Sequence, residues 1–351
     1  MCIFKTKEIT KLPLKTINLG IIGLGRIGKV HLTHATHHFP NCRVIAAARV
    51  HPEKKEWVAR CGVSRFYDDF TSLVQDPDLD AIIIASPTGF HATHIEQAAK
   101  AGKAIFCEKP LDLSFSVVKK VVQTVKKANI PFMLGFNRRF DPTYCKLKDA
   151  LQTGKVGTPY LLRITSRDPG PPPVEYLKTS GGLFLDMAIH DFDMARYLLD
   201  DEVETVYTEA AVLGEPRLKA FHDVDTAITT LRCKKGTLVT IDNSRNSAYG
   251  YDQRIEVFGE KGVWGATNPT ATFDYHSNAQ GTHSPTLLPF FMERYEASYR
   301  LEMGTFLKYI SEGGPSPVSA EEGLQSMAIS IAAQRSVEEN RVVSLSEIIN
   351  N

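Results

Sequence analysis

A glycine motif near the start of the chain constrains the fold more than any other feature. An apolar run, residues 17–22, leads directly into Gly23-x-Gly25-x-x-Gly28, and from about Arg26 the sequence can continue as a helix. Strand, glycine turn and helix in this order are typical of a dinucleotide-binding βαβ unit. In that unit Gly23 permits the tight turn, Gly25 lets the backbone approach a diphosphate, and Gly28 lets the helix pack closely on the strand. The alternative is an ordinary tight turn between a strand and a helix.

Composition limits the class of protein. At 351 residues the chain is longer than one typical domain, so two domains are expected. The 41 basic and 40 acidic residues leave a net charge of +1, which favours neither nucleic acid nor a membrane surface as a partner. The six cysteines are scattered without a CxxC pair, and no apolar run has the length of a secretory leader or a membrane span. These features favour a cytoplasmic protein with reduced thiols.

The first half of the chain alternates short apolar runs with helical stretches. Residues 1–15 are charged and aperiodic, and we interpret them as an extension. The run Ala81-Ile82-Ile83-Ile84 lacks polar alternation, which suits a parallel strand covered on both faces. We therefore predict a dinucleotide-binding Rossmann domain over residues 16–136, with strands at 17–22, 43–48, 81–85, 103–107 and 130–135.

The ends of two of these strands supply candidate ligand contacts. In open parallel sheets, ligands lie beyond the carboxyl ends of the strands. Ser86 and Thr88 follow one strand, and Glu108-Lys109 follows the next. A lysine at a strand end, held by the rigid Pro110, is well placed to reach the gap between nicotinamide and substrate.

The end of the second strand usually sets the choice between NAD and NADP. There, an acidic residue about 20 positions beyond the glycines binds the ribose 2′-hydroxyl of NAD. This chain has Arg49-Val50-His51 instead, and no carboxylate before Glu53. Because an arginine pairs with a 2′-phosphate, the sequence favours NADP. The alternative is a surface arginine, with specificity set elsewhere.

The second half has a different pattern. Its strand-like runs are joined mostly by turns, which predicts an antiparallel sheet from segments at 160–167, 203–212, 226–231, 237–243, 255–259 and 263–265. Helices are predicted at 142–151, 186–199, 293–311 and 320–338, and the last of them could pack on the first domain. We place the second domain at residues 137–351.

Residues 180–193 hold most of the candidate catalytic side chains. Asp186 and His190 stand at i and i+4, on one face of a predicted helix. His190 suits removal of a hydroxyl proton, and Lys109, as a cation, suits stabilisation of the developing alkoxide. Two alternatives stay open: a structural hydrogen bond between Asp186 and His190, and a metal site formed by both with His91.

Three other histidines share one helical face. His31, His34 and His38 stand at i, i+3 and i+7. A metal site is one interpretation, but no carboxylate accompanies them in the sequence. A solvated helix face is the interpretation we prefer, so no metal ligand is predicted.

Several motifs in order carry a family resemblance. The glycine motif, Glu108-Lys109-Pro110 and Gly181-Gly182…Asp186…His190-Asp191 together resemble the glucose–fructose oxidoreductase / inositol dehydrogenase / rhizopine-catabolism (Gfo/Idh/MocA) family. The segments Ser166-Arg167-Asp168-Pro169 and Ala248-Tyr249-Gly250-Tyr251-Asp252 are similar to the inositol 2-dehydrogenases within it. The resemblance extends over nearly the whole chain, from about residue 17 to about residue 345.

The resemblance implies a fold and an assembly. It implies an α/β Rossmann domain followed by an α+β domain with a large open, mainly antiparallel sheet. The outer face of that sheet commonly forms a homodimer or homotetramer.

The resemblance also implies roles for individual residues. Lys109, Asp186 and His190 would be catalytic, with His190 as the base. The implied substrate contacts are Lys109, Arg138, Asp168, Asp186, His190 and Tyr249. Together with the pattern-based candidates, the predicted cofactor contacts are Gly23, Gly25, Arg26, Ile27, Gly28, Arg49, Ser86, Thr88, His91, Glu108, Lys109 and Asn137.

The activity implied is NAD(P)-dependent oxidation of a secondary hydroxyl of myo-inositol, or of a related cyclic polyol, to the ketone. Arg49 departs from the commonest inositol 2-dehydrogenases, which have an acidic residue there and use NAD. Three alternatives remain: an NADP-dependent dehydrogenase or reductase of an aldose or other sugar, a nucleotide-binding regulator without catalysis, and a metal-dependent hydrolase or lyase.

Overall fold

The first half of the chain forms a six-stranded parallel sheet flanked by helices. The structure is a computed structural model that describes residues 16–350, so the predicted extension at 1–15 lies outside the described residues. The strand order is β3-β2-β1-β4-β5-β6. The strands are β1 Ile17–Ile22, β2 Cys42–Ala48, β3 Arg65–Tyr67, β4 Ala81–Ile84, β5 Ala104–Glu108 and β6 Phe132–Gly135. The helices between them are α1 Arg26–His37, α2 Pro52–Arg60, α3 Phe70–Val74, α4 His91–Lys100 and α5 Phe115–Ala128.

This sheet has the order of a Rossmann fold. The chain moves outward from β1 through β2 to β3, returns to β4 on the other side of β1, and continues to β6. The strand order therefore reverses between β1 and β4, and in open α/β sheets the ligand crevice lies at that point, beyond the carboxyl ends of the strands. The buried apolar strands of the sheet, such as β4 with all four residues buried, form the first core.

The second half is built on a seven-stranded sheet with the order β12-β11-β7-β10-β9-β8-β15. Only β7 and β10 pair in parallel, and the remaining pairs are antiparallel, as predicted for the most part. Its strands are β7 Pro159–Arg167, β8 Val203–Ala211, β9 Thr226–Cys233, β10 Leu238–Ser244, β11 Asp252–Gly259, β12 Gly262–Ala266 and β15 Val343–Ser344. A separate hairpin consists of β13 His276–Asn278 and β14 Gly281–His283.

Three helices of the second half, at 142–152, 189–199 and 320–339, pack against the strands of this sheet. The helices of this half are α6 Pro142–Gln152, α7 Val174–Ser180, α8 Ile189–Leu199, α9 Phe291–Arg294, α10 Glu296–Glu312, α11 Ala320–Glu339 and α12 Ser346–Ile349. Along β9, buried and exposed residues alternate, which is the pattern of a sheet with one covered face. No helix within residues 16–350 is long and apolar enough to cross a membrane.

The last long helices join the two cores. Met303 and Phe306 of α10 and Leu324 of α11 are buried in the core of the first sheet, while Ala328 and Ile329 of α11 belong to the core of the second. Both α10 and α11 therefore pack on elements of the first half of the chain. The two halves therefore share a packed boundary rather than a flexible linker.

Candidate active site

The glycine motif forms the backbone edge of the crevice. Gly23 has a φ of +89°, and a Cβ there would lie 2.2 Å from the Ala85 carbonyl oxygen at the end of β4. A Cβ on Gly28 would lie 1.8 Å from the Gly23 carbonyl oxygen, so α1 approaches the turn as closely as the backbone allows. A Cβ on Gly25 would meet nothing within 4 Å. The turn is therefore closed on its protein side and open at Gly25, on the side where a diphosphate would lie.

The crevice fits a dinucleotide. The first backbone N–H groups of α1, at Arg26, Ile27 and Gly28, have no partner within the helix and lie at its positive end. Asn137 follows β6, is 3% exposed, and its side-chain Nδ2 has no hydrogen-bond partner among residues 16–350. A buried amide donor without a partner, at the carboxyl edge of the sheet, suits a polar ligand group in the crevice.

Two other predicted cofactor residues lie at the same edge. Ser86 follows β4, and its Oγ lies 3.0 Å from His94 Nδ1. Thr88 begins a short 3₁₀ turn, Thr88–Phe90, and is partly exposed. Both are thus positioned by the end of β4, as predicted from the sequence.

Arg49 lies at the end of β2 with its side chain exposed. Its φ is +53°, a left-handed conformation that is uncommon outside glycine, and its N–H donates to the Tyr67 carbonyl at 2.9 Å. Within residues 16–350 its guanidinium has neither a hydrogen bond nor an ion pair. An unpaired cation at this strand end is available to a ligand.

His91 and Glu108 have interior partners. Both ring nitrogens of His91 contact backbone carbonyl oxygens, that of Pro110 at 2.8 Å and that of Ser86 at 2.7 Å, and the residue is 1% exposed. Glu108 is also buried, and its Oε1 lies 2.6 Å from His31 Nε2. His91 thus links the segments that follow β4 and β5, and Glu108 joins the end of β5 to α1, so both side chains have interior contacts instead of facing the crevice. In particular, His91 is not placed as a metal ligand with Asp186.

The solvated face predicted for the histidines of α1 is wrong for His31 and His34, whereas His38 is exposed. His31 is 0% and His34 is 6% exposed, because this face of α1 packs on α10. The tertiary fold also supplies the carboxylates that the local sequence lacks: ligand atoms of His31, Glu108 and Glu302 lie within 4.8 Å of one another, as do those of His34, His38 and Glu296. Periodicity identified the shared face but could not show what covers it.

Lys109 and Asp186 meet across the crevice. Lys109 Nζ donates to the Asp186 backbone carbonyl at 2.6 Å and lies 3.6 Å from the Asp186 carboxylate Oδ1. Their side chains are 15% and 14% exposed, so the pair is partly shielded from water but reachable. The structure thus brings together a strand-end residue of the first sheet and a residue of the second half that the sequence separates by 77 positions.

His190 lies beside this pair. It follows a π-helical turn, Leu183–Ala188, which carries Asp186 and leads into α8. The predicted continuous helix from Asp186 is therefore wrong in its first turn, and within residues 16–350 no hydrogen bond joins Asp186 to His190. Burial, and then the charges of Lys109 and Arg138, lower the pKa of His190 well below its ordinary value. The imidazole is therefore neutral, with one unprotonated ring nitrogen, and the same lowering of its pKa makes it a weaker base than an ordinary histidine.

Asp168 and Tyr249 occupy different surroundings. Burial raises the pKa of Asp168 to about 6, against the opposing charge of Arg245. Tyr249 is 52% exposed; its hydroxyl donates to Asp252 Oδ2 at 2.6 Å and accepts from Arg167 at 2.9 Å. Tyr249 lines a cleft of about 540 Å³ whose lining includes none of Lys109, Asp186 and His190.

Arg138 lies inside the second half. Its guanidinium donates to Asp191 Oδ1 at 2.5 Å and to Ser166 Oγ at 3.4 Å, and the residue is 5% exposed. Asn243 donates to the other Asp191 oxygen at 2.8 Å. Asp191 is thereby fully paired, and Arg138 lies beneath His190 as a buried positive charge.

Two further residues at the site carried no sequence signal. The Tyr176 hydroxyl, from α7, donates to Asp186 Oδ1 at 2.7 Å. Arg245, which follows β10 and is 1% exposed, has its Nη1 3.6 Å from Asp186 Oδ2. Neither belongs to a spaced motif, since each reaches Asp186 only through the tertiary fold.

Comparisons with known proteins agree with this architecture. A family model described as "Oxidoreductase family, NAD-binding Rossmann fold" matches residues 17–136, and the "GFO/IDH/MocA C-terminal domain" matches residues 144–264. The myo-inositol 2-dehydrogenase of Thermotoga maritima is 44% identical over 334 residues, covering 95% of this chain and all of that protein. The inositol 2-dehydrogenase of Rhizobium meliloti is 41% identical over 333 residues, covering 94% of this chain and 99% of that protein.

A solved structure extends the likeness to the fold. The scyllo-inositol dehydrogenase of Lactobacillus casei, with bound cofactor NAD(H) and scyllo-inositol, superposes with a TM-score of 0.89 at 34% identity. The match covers 95% of this chain and all of that one. Together with the two matching family models, these similarities show that the chain belongs to the Gfo/Idh/MocA family of oxidoreductases, whose Rossmann fold binds NAD.

Proposed function

We propose that this protein oxidises a secondary hydroxyl of an inositol, myo-inositol or a close cyclic polyol, to the ketone. The observation that carries the proposal is the meeting of Lys109, Asp186 and the neutral His190 at the carboxyl edge of the Rossmann sheet. Support also comes from the curated relatives, which are inositol 2-dehydrogenases at 44% and 41% identity.

Each candidate catalytic residue has its own role in the proposed reaction. His190 accepts the hydroxyl proton on a ring nitrogen; its Nδ1 is buried and has no hydrogen-bond partner among residues 16–350. Lys109 stabilises the negative charge that develops on the oxygen, and its Nζ is held in place by the Asp186 carbonyl and carboxylate. A nicotinamide bound in the crevice would supply the acceptor for the hydride that leaves the carbon bearing this hydroxyl. Asp168 accepts a hydrogen bond from a neighbouring hydroxyl of the ring, whereas the Tyr249 hydroxyl is engaged by Asp252 and Arg167 and would have to leave them to contact the polyol.

The glycine turn and the strand ends would hold the dinucleotide. In this proposal the N–H groups of α1 bind the diphosphate, and Ser86, Thr88 and Asn137 line the nicotinamide side. We further propose that Arg49 binds a 2′-phosphate, so that NADP is accepted. The unpaired, exposed guanidinium supports this, because pairing with a phosphate costs it no existing partner.

The proposal also includes the oligomeric state of the protein and the boundary between its two domains. Four large apolar side chains share the outer face of the second sheet by register and are between 48% and 59% exposed: Ile228, Leu238, Phe258 and Val263. An apolar patch of this kind favours a partner surface, and we propose that a second copy covers it in a cytoplasmic homodimer or homotetramer. The domain boundary is proposed at residues 136/137, after β6.

The test is initial-rate reduction of NAD and NADP with myo-inositol, scyllo-inositol and glucose, using wild-type protein and Arg49→Ala. We expect turnover with the inositols. The ratio of kcat/KM with NADP to kcat/KM with NAD should fall about tenfold in Arg49→Ala, because a charged phosphate contact is lost. Turnover on glucose alone would replace the proposal with the aldose alternative. Nucleotide binding without turnover on any of the three would favour the non-catalytic regulator.

A further inference from the structure

A buried arginine links the catalytic carboxylate to a distant loop. Arg245 is among the largest fully buried side chains of the chain, at 1% exposure. Its Nη1 lies 3.6 Å from Asp186 Oδ2, and its Nη2 lies 3.6 Å from Asp223 Oδ2. Since Asp186 Oδ1 is also 3.6 Å from Lys109 Nζ, the four groups form a row of alternating charge, which we call the charge row: Lys109, Asp186, Arg245 and Asp223.

The far end of the charge row is anchored to the backbone. Asp223 Oδ1 accepts from the N–H of Leu183 at 2.8 Å and from that of Val224 at 2.8 Å. Leu183 is the first residue of the π-helical turn that carries Asp186. Arg245 therefore contacts the carboxylate that caps this turn and also the carboxylate that the turn presents to Lys109.

Arg245 has few alternatives to these partners. Its Nε and Nη2 are buried and make no hydrogen bond within residues 16–350, and Asp223 Oδ2 is likewise unpaired by hydrogen bonds. The guanidinium and the two carboxylates at 3.6 Å compensate one another's charge, and this matters because an uncompensated buried ion is costly. Truncating Arg245 would leave Asp186 and Asp223 as buried negative groups with less compensation.

We propose that Arg245 is a positioning residue of this site: it fixes the Asp186 carboxylate opposite Lys109 and supplies the positive charge around which Asp168, Asp186 and Asp223 are gathered. The proposal deepens the proposed function and rests on it for its kinetic readout. Arg245 acts through the acidic side chains and does not itself touch the reacting atoms.

Asp168 reports on this charge. Burial raises its pKa to about 6, and Arg245 is the largest influence that lowers it. The groups that face Asp168 are Arg245, Arg138, Asp186, Asp191 and Tyr251. Of these, Arg138 is already paired with Asp191, so Arg245 is the cation whose loss Asp168 should register most.

The experiment compares Arg245→Met, Arg245→Lys and a matched control, Arg196→Met. Arg196 is 7% exposed and pairs with Glu202 and Glu322 at 2.7 Å, so its loss tests the general cost of removing a buried arginine. For Arg245→Met we expect kcat/KM to fall about 10²-fold, mainly in kcat, with dinucleotide affinity kept. The acid limb of its pH profile should move upward by about one pH unit, and Arg245→Lys should restore part of both.

A second readout does not depend on turnover. In protein labelled with ¹³C at the aspartate carboxyl carbons, the Asp168 signal is assigned by its loss in Asp168→Asn and titrated by NMR. We expect a higher apparent pKa for Asp168 in Arg245→Met than in wild type, and no change in Arg196→Met. Equal titration curves in Arg245→Met and wild type would overturn the proposal even if inositol turnover is observed. A shifted curve in a protein without inositol turnover would retain the charge row and remove only the proposed substrate.

Discussion

The cofactor edge and the substrate side of this site are built in different ways. The cofactor edge is backbone: Gly23 and Gly28 shape it, and a Cβ on Gly28 would lie 1.8 Å from a carbonyl oxygen. The substrate side is made of charged side chains, in which Lys109, Asp186 and Arg245 meet at 3.6 Å from three separate segments. The cofactor edge is formed by twelve consecutive residues, 17–28, whereas the substrate side is assembled only when distant segments fold together.

This difference determines which substitutions the cofactor edge and the substrate side each tolerate. A backbone cradle fails when atoms are added, because it has no space for them. A charge array fails when atoms are removed, because the remaining ions lose compensation. Substitutions that add atoms at the cofactor edge, or remove charged atoms on the substrate side, therefore distinguish dinucleotide binding from catalysis.

The largest effect is expected for Lys109→Met. Removing the cation that stabilises the alkoxide should lower kcat by about 10³-fold while the dinucleotide still binds, since the cradle is untouched. Steady-state rates and fluorescence titration of the dinucleotide measure the two quantities. Equal loss of binding and turnover would show that Lys109 holds the cofactor instead.

The next effect is expected for Gly28→Ala, with Gly25→Ala as its matched control. The new methyl group at position 28 meets the Gly23 carbonyl, so the turn must open, and the free energy of unfolding should fall by about 3 kcal/mol. At position 25 the methyl group meets nothing within 4 Å of the protein, so stability is kept and only dinucleotide affinity falls. Denaturant unfolding and dinucleotide titration check the pair; similar stability in both variants would contradict the crowding seen at Gly28.

The smallest effect is expected for Asp168→Asn. The pKa of Asp168 is raised to about 6, so in wild type its carboxylate form is lost as the pH falls through 6, and kcat/KM should fall with it. In Asp168→Asn the fall of kcat/KM at acidic pH should disappear, and kcat/KM at pH 8 should be about tenfold lower than in wild type. Because the pKa of His190 is lowered, its protonation should not limit the rate until a more acidic pH. If the fall of kcat/KM at acidic pH is the same in the variant, a group other than Asp168 causes it.

Local signals account for what the sequence predicted well. The turn Gly23-x-Gly25-x-x-Gly28 was predicted with its strand and helix, and α11 begins at the predicted residue 320 and ends one residue beyond the predicted 338. Hydrophobic runs and turn residues act within a few positions, so one sequence suffices to identify them. The short edge strand β3, with only partly buried residues, gave no such run and was missed.

Long-range packing accounts for what was missed. Arg245 and Asp186 are 59 positions apart, and nothing near either residue indicates the other. The π-helical turn is set by its contacts, among them Asp223 beneath Leu183, rather than by propensity. The histidine face of α1 was interpreted as solvated because periodicity shows that residues share a face but not that α10 covers it.

The return of the last helices has a consequence for how this protein is made. Leu134 of β6 donates its N–H to the Val318 carbonyl, and Gly323 packs so closely that a Cβ there would lie 2.6 Å from the Leu134 side chain. During synthesis the Rossmann sheet emerges first, yet its final wall is translated nearly two hundred residues later. Until then Leu111 and Leu134 stay uncovered, so the nascent first half should depend on chaperones, and a fragment cut at residue 136 should aggregate rather than fold as an independent nucleotide-binding module.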